Sequence, residues 1–536
     1  MKTCILAIQR YERIEDLKEW IRYHIDIVHI DHIFLLDNND QKDALKIDDP
    51  NLTILPCYNI TINIGDSTWQ CNAYNYGLEY IKLLDYQWIA VIDADEFITL
   101  RKHSDIKDFI QEQCIDKGFN NTELKWELYT DNDIFYYDPK YGGNVLKTYK
   151  DHHPVDKSNN WNFFSYVSMK HFLKFIGKIT PELRYDDSPH YPSKKLYDQK
   201  IYNKNICSEQ VAVLRHYKYK SLEDFISLKA KLRSYTKSVH GSTWKYTRTY
   251  FEDNYAYTEK IIAFAILACK HNLEMDEWDM SHLQEQLART TGYDKNIFYI
   301  WFGNNDISSN KQDIINQCTE SVNNYYNTHG FNIFQLNEET LHIDVCPYVR
   351  FMYDHKLYGL CADFFKCLLL YYFGGVYLDY DVELCGDLND YYNRNDYMLF
   401  DASFYNNGAW FTSNHCISSS FMISKPFNKL FLEFINYCKS FTYDQLENMY
   451  NEMNKKDFMD YFYDVKIFYY HVIKKNNINI HYVEDLNYTV EKINELESIT
   501  LFDNKFIEPI KYNENINTFV IHHNIKTHED IYLNNI

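Results

Sequence analysis

The chain has 536 residues, 55 of them basic and 76 acidic, for a net charge of −21. That length exceeds one ordinary hydrophobic core and predicts two domains. The acidity excludes a general phosphate-backbone binder, which needs a basic face to release counterions, so nucleic acid is not an expected partner.

From the N-terminus, "TCILAI" reads as a buried strand, and the apolar run around it is too short for the core of a signal peptide. "RIEDLKEWIRYHIDIV" places Ile14, Leu17, Ile21, Ile25 and Val28 on one helical stripe. "HIFLLDNND" is a strand running into a polar turn, Trp69 to Leu84 has helical spacing, and "WIAVIDADEF" is a strand ending in acid. Strand, helix, strand, helix, strand predicts a parallel α/β sheet. Residues 221 to 235 and 256 to 271 read as helices, followed by a polar segment around 272 to 295. The pattern then restarts with "NIFYIWFGN", "HGFNIFQLN", a helix "HKLYGLCADFFKCLLLYYFGG" stopped by glycines, and the strand "VYLDYDVE". The expected division is 1–285 and 286–536, two α/β domains with mostly parallel sheets and added helices.

Thirteen cysteines, odd in number and without a CxxC pair, fit free thiols in a reducing, cytoplasmic compartment better than a secreted disulfide framework. No apolar stretch approaches the roughly 20 residues needed to span a bilayer, which leaves peripheral membrane contact open. The aromatic share of 17%, with 50 tyrosines, offers stacking surfaces for sugars and equally fits a nucleotide bias in the coding sequence.

Two stretches concentrate carboxylates after an apolar strand: Asp93 and Asp95 in one half, Asp379 and Asp381 in the other. Alternate residues of a strand face one way, so each pair is expected to aim at one point, at the carboxyl end where ligands of open α/β sheets bind. A divalent ion with oxygen ligands, Mn2+ or Mg2+, one per domain, would reconcile each pair and carry a diphosphate. "VYLDYDVE" also matches the nucleophile signature of haloacid-dehalogenase-type phosphatases, but that fold opens its domain with this strand, whereas here a strand and a helix precede it.

"IFYIWFGN", "ADFFKCLLLYYFGGVYLDYDVE" and "FVIHHNIKTH" resemble the signature blocks of glycosyltransferase family 32. The resemblance implies a GT-A fold, a nucleotide-sugar donor (UDP- or GDP-linked), a divalent metal and retention of configuration. It implies that Trp301 lies near the base, that Asp363 touches the donor sugar, that Asp379 and Asp381 carry metal and diphosphate, and that His522 or His523 completes the metal shell. Lys366 stands where the family has Arg, so it can neutralise phosphate without a bidentate fork. "DLKEWIRYHIDIVHIDHIFLLDNND", "STWQCNAYNYGLEYIKLLDYQWIAVIDADEFI" and "VLRHYKYKSLEDFISLKAKLR" resemble glycosyltransferase family 92 and its bacterial relatives, also GT-A enzymes, which are expected to invert. That implies Asp37 at the donor base, Asp93 and Asp95 at the metal, Glu96 beside them and His216 as third ligand, although "RYE" at 10–12 replaces the family's Lys-Asn-Glu opener. Lys170 and Lys174 are further candidates to meet phosphate, and His152, His153, His171 and His190 carry no assignment. The combined expectation is a bifunctional glycosyltransferase acting on a glycan or glycolipid acceptor, such as a capsule, a lipopolysaccharide or another surface glycan. The alternative is one active half beside a glycan- or partner-binding module.

Overall fold

The computed structural model describes residues 1–58, 69–151, 173–186, 188–230, 250–251, 256–275, 277–303, 309–384, 388, 397–401, 417–453, 457–458, 461–462, 479–483, 498–502, 507–508 and 520–522. His152, His153, Lys170, His171 and His523 lie outside them. The chain divides into two compact units, Met1–Tyr255 and Ala256–Ile536. The division falls before the expected position near 285 because helices α3 (Thr258–Lys270) and α4 (Glu277–Thr291) belong with the second unit, where the Gln284 side chain donates to the Tyr372 carbonyl at 3.0 Å. Much of the segment read as polar, 272 to 295, is therefore helix.

In the first unit, strands β1 (Thr3–Gln9), β2 (His32–Asp37), β3 (Leu52–Pro56), β4 (Trp88–Asp93), β5 (Glu96–Leu100), β6 (Asn121–Leu128), β7 (Leu173–Lys178) and β8 (Ala212–His216) form one sheet. Their order is β3-β2-β1-β4-β7-β6-β8-β5. Strands β3, β2, β1 and β4 run parallel, and β7 lies antiparallel to β4. Ile5 and Ala7 enter one core cluster while Cys4, Leu6 and Ile8 enter another, so β1 is apolar without alternation because both faces are covered. Helix α2 (Trp69–Ile81) crosses one face so closely that a Cβ on Gly77 would sit 2.6 Å from Leu6 Cδ1.

Helix α1 (Ile14–Arg22) departs from the expected stripe. Leu17, Ile21 and Val28 are buried as expected, but Ile14 is exposed and Trp20 and His24 take core positions. Leu17, Trp20, Ile21, His24 and Val28 keep the i, i+3, i+4, i+7 spacing of one helical face, with Ile14 at the margin of that face in the first turn, and the helix passes into a π turn at Tyr23–Ile27. His24 is fully buried, with Nδ1 donating to the Trp20 carbonyl (2.8 Å) and Nε2 accepting from the Ile98 amide (3.2 Å), which holds the imidazole neutral. Burial lowers its pKa to about 3, partly offset by the bond to Trp20. The unfolded chain, with an ordinary histidine near 6.5, takes up this proton first. His24 thus leaves stability intact above pH 6.5 and erodes it as pH falls toward 3, by up to about 1.4 kcal/mol per pH unit. A His24→Gln variant is expected to flatten the slope of stability against pH in that window, as read by denaturant titration; an unchanged slope would remove His24 as its source.

The second unit has a larger sheet of β9 (Lys295–Ile300), β10 (Phe331–Leu336), β11 (Gly375–Leu378), β13 (Tyr397–Asp401), β14 (Ile417–Ser424), β15 (Asn479–Val483) and β16 (Ser498–Phe502), ordered β10-β9-β11-β14-β13-β16-β15. A small sheet joins β12 (Val382–Leu384), β18 (Val520–His522) and β17 (Ile507–Glu508) in the order β12-β18-β17. Helix α5 (Ser309–His329) links β9 to β10, and α6 (Pro347–Asp354) and α7 (Tyr358–Phe373) link β10 to β11. Strands β10, β9 and β11 are parallel and β14 is antiparallel to β11, which repeats the β2-β1-β4 ladder and antiparallel β7 of the first unit. Both units are α/β with parallel-rich sheets, the class expected from the restarted sequence pattern.

Candidate functional site

Both acidic pairs occupy turns rather than alternate positions of one strand. Strand β4 ends at Asp93, residues 94 and 95 form the turn, and β5 begins at Glu96; likewise β11 ends at Leu378 and β12 begins at Val382. Period-2 reasoning therefore does not decide where the carboxylates point. The turn's own anchors do.

In the first unit, Ala94 N donates to the Ile8 carbonyl (3.1 Å), Tyr217 N to the Asp95 carbonyl (2.9 Å) and Trp20 Nε1 to the Glu96 carbonyl (2.6 Å). Asp93 Oδ1 accepts from Tyr74 OH (2.6 Å) and Gln70 Nε2 (2.8 Å), and Oδ2 from Lys174 Nζ (3.0 Å). Lys174 is 1% exposed and its ammonium is also 3.8 Å from Glu96 Oε2. Burial pushes the Asp93 carboxyl up, but Lys174 and the bond from Tyr74 outweigh it and hold it below the usual carboxylate range. Glu96 is 0% exposed; its Oε2 accepts from the Asp93 amide (2.7 Å), and burial raises its pKa well above normal despite Lys174. Its position is inside the turn, where it braces Asp93.

Asp95 turns to the other side. Its Oδ1 is 3.5 Å from His216 Nε2, with both side chains buried, and His216 Nδ1 has no hydrogen-bond partner among the described residues. The Trp126 ring lies 4.3 Å from the His216 ring and 5.4 Å from that of His190. Burial, together with Lys174, lowers the His190 pKa to about 4. Asp37 is committed to its own loop: it accepts from Gln9 Nε2 (2.5 Å), Asn39 N (3.1 Å) and Leu45 N (2.7 Å). Gln70, Tyr74 and Trp126 were not legible as site residues. Nothing in an α/β pattern marks which helix or neighbouring-strand side chain will face a turn.

In the second unit, Tyr377 OH donates to Asp379 Oδ1 (2.7 Å), Asp379 N to the Ser420 carbonyl (2.8 Å) and Val382 N to the Asp379 carbonyl (3.1 Å). On α7, Asp363 and Lys366 share a face as expected, with Lys366 Nζ 2.5 Å from Asp363 Oδ1 and 4.6 Å from the Tyr377 ring centroid. Burial pulls the Lys366 ammonium down, yet Asp363 and then Asp379 outweigh it and hold it above lysine's usual value. Trp301 meets Tyr380 edge-on at 5.3 Å, and the two rings line a cavity of about 480 Å³ whose rim carries Glu338 and Asn337.

The late histidines hold matching places. In the first unit Glu96, the residue after the second aspartate, pairs with His216 across β5 and β8. In the second, Val382, again the residue after the second aspartate, pairs with His522 across β12 and β18. Both pairings are antiparallel.

Among the described residues no three His, Cys, Asp or Glu side chains converge as a metal site. Asp95 and His216 do converge as two. An oxygen-seeking divalent ion takes one or two protein ligands and fills its shell with water and phosphate, so this pair fits an ion that arrives with a diphosphate.

No curated protein matches the chain. Solved structures resembling parts of it include the PaToxG glycosyltransferase (14% identity, TM-score 0.21, covering 34% of this chain and 72% of that one). They also include a glycosyltransferase involved in glycosylation of the major capsid of PBCV-1 (11%, 0.22, 45% and 100%) and S. aureus TarS (9%, 0.22, 54% and 50%). Likeness at these TM-scores adds nothing to the fold described above. Residues 279–398, which carry Trp301, Asp363, Lys366, Asp379 and Asp381, match the family described as a glycosyltransferase sugar-binding region containing a DXD motif.

Proposed function

We propose that the chain is a two-unit glycosyltransferase in which each unit, a GT-A domain, transfers a sugar from a UDP- or GDP-linked donor to a glycan or glycolipid acceptor. The first unit acts with inversion in the manner of family 92 and the second with retention in the manner of family 32. The observation that carries this reading is the repeated register: in each unit an Asp-x-Asp turn leads into a strand whose first residue pairs with a histidine. Two units with unlike sequences share this arrangement, which a solvated strand end would have no reason to keep.

Asp95 and His216 in the first unit, and Asp381 with His522 or His523 in the second, would hold Mn2+ or Mg2+. When bound, the ion supplies Lewis-acid stabilisation of the leaving diphosphate. Asp363 and Lys366 form a charged pair on one helix face, suited to a sugar hydroxyl and a phosphate oxygen respectively. The Trp301 and Tyr380 rings offer faces against which a base can pack. Sequential addition of two sugars to a growing surface polysaccharide is the simplest use of two such units in one chain, acting in the cytoplasm with peripheral membrane contact. Among the described residues no helix is long and apolar enough to cross a membrane.

The test is a screen of full-length protein for metal-dependent hydrolysis of UDP- and GDP-sugars. An Asp379→Asn/Asp381→Asn variant is expected to lose one donor activity by about a thousandfold, the scale of an interaction worth several kcal/mol in the transition state, and to keep the other. Retention of both activities would end the assignment of a donor site to the second unit. A first unit that binds nucleotide and hydrolyses nothing would instead be a binding module.

A further inference from the structure

The buried lysine beside the first acidic turn is not required by the repeated register. Lys174 comes from β7, antiparallel neighbour of β4, and sits between Leu173 and Phe175 in an otherwise apolar run. Its ammonium reaches Asp93 Oδ2 at 3.0 Å and Glu96 Oε2 at 3.8 Å, with the Tyr74 ring 5.9 Å away. Three carboxyl groups, Asp93, Asp95 and Glu96, lie within four residues. Without a resident cation, such a cluster would attract a divalent ion by itself.

We propose that Lys174 is the fixed counter-ion of this turn, withdrawing Asp93 and Glu96 from metal binding so that, among the described residues, Asp95 and His216 are the pair left to meet an incoming ion and a diphosphate strengthens its retention. Lys174 acts through Asp93 and touches neither donor nor metal, so it is a positioning residue. Tyr74 and Gln70 complete the clamp by occupying Asp93 Oδ1 from helix α2, at 2.6 and 2.8 Å. Asp95 and His216 provide too few ligands to strip water from Mn2+ or Mg2+, whereas a diphosphate adds two oxygens and negative charge in one step. The unit would then hold metal more firmly when a donor is present. This inference rests on the metal-diphosphate reading of the site.

The experiment uses full-length protein carrying Asp379→Asn and Asp381→Asn, so that the first turn is read alone. Mn2+ binding is followed by electron paramagnetic resonance, with and without inorganic pyrophosphate as the diphosphate probe, after correction for the Mn2+–pyrophosphate complex in solution. Pyrophosphate is expected to tighten Mn2+ binding by about a hundredfold or more, since it adds two oxygens to the Asp95 and His216 pair. K174M/E96Q, which removes the ammonium together with the carboxyl buried beside it, is expected to bind Mn2+ alone about tenfold more tightly, since a nearby positive charge is gone and Asp93 is released. Tyr74→Phe, which leaves every charge in place, should move the same way by less, and K174R should resemble the parent. Parent protein that binds Mn2+ equally well without pyrophosphate, or a folded K174M/E96Q that gains nothing, overturns the inference and leaves the glycosyltransferase reading standing. No Mn2+ binding under any condition in any variant removes the metal-diphosphate reading itself, and the inference with it.

Discussion

An Asp95→Asn variant is expected to lose about a thousandfold of the metal-dependent nucleotide-sugar hydrolysis proposed for the first unit and to melt like the parent, whereas Asp93→Asn is expected to melt lower. The two residues differ by their partners. Asp95 Oδ1 faces His216 Nε2 at 3.5 Å, and its backbone, not its carboxylate, secures the turn through Tyr217 N. Removing its charge therefore removes a proposed metal ligand and leaves the turn's backbone anchors in place, and a Lewis-acid interaction worth several kcal/mol corresponds to about three powers of ten in rate. Asp93 is instead the main partner of a fully buried ammonium, with a quarter of its own side chain still accessible. Truncating one partner of a buried pair costs about 3–5 kcal/mol when the other charge is stranded. Here Glu96 at 3.8 Å keeps part of the compensation, and an amide still accepts from Tyr74, so about 2 kcal/mol is the expected loss for Asp93→Asn. Thermal melting by circular dichroism and single-donor kinetics separate the outcomes. If Asp93→Asn were thermally silent and Asp95→Asn fully active, the division of labour within the turn would be wrong.

The sequence made the restarted α/β pattern legible because parallel strands covered on both faces are apolar throughout, and "TCILAI", "WIAVIDADEF" and "NIFYIWFGN" all have that form. It also placed both Asp-x-Asp segments at strand ends, which a five- or six-residue apolar run followed by acid is enough to do. It failed wherever a tertiary partner decides. Trp20 and His24 lie inward and Ile14 outward because the buried face is the one on which the indole and the imidazole meet the backbone of β5, at the Glu96 carbonyl and the Ile98 amide. Asp37 and Glu96 were singled out for acidity at the right strand ends, but hydrogen bonds from Gln9, Leu45 and the Asp93 amide give them structural work that composition does not reveal. Lys174 was legible only as a candidate to meet phosphate, and its bond to an aspartate of the neighbouring strand depends on the sheet order. The late histidines became a matched pair only when strand register set each beside the residue after the second aspartate.

Gly375→Ala is expected to disable the second unit without touching the active turn itself. Gly374 and Gly375 end α7 at φ +63° and +110° and start β11, four residues before Asp379. At Gly375 an added Cβ would lie 2.5 Å from the Asn296 carbonyl oxygen, a backbone atom of β9 that cannot swing aside as a flexible side chain would. Strand β11 pairs with β9 through Val376 and Tyr377, so relief must come from moving β11, and Tyr377 carries the hydroxyl that holds Asp379. The strain of positive φ alone costs about 1–2 kcal/mol, and the backbone collision brings the expected total to about 3 kcal/mol or more. Gly118→Ala is the control: its φ is +73° and nothing lies within 4 Å of the new Cβ, so only the conformational part, about 1–2 kcal/mol, should appear, and in the first unit. Denaturant unfolding should therefore show a second-unit transition shifted well beyond the shift produced by Gly118→Ala in the first. Hydrolysis assigned to the second unit should fall at least tenfold below the melting temperature, because a displaced Tyr377 leaves the Asp379 carboxylate unheld. Full second-unit activity in folded Gly375→Ala protein would show that the glycine pair only shapes the end of the helix and that the acidic turn does not depend on where β11 begins.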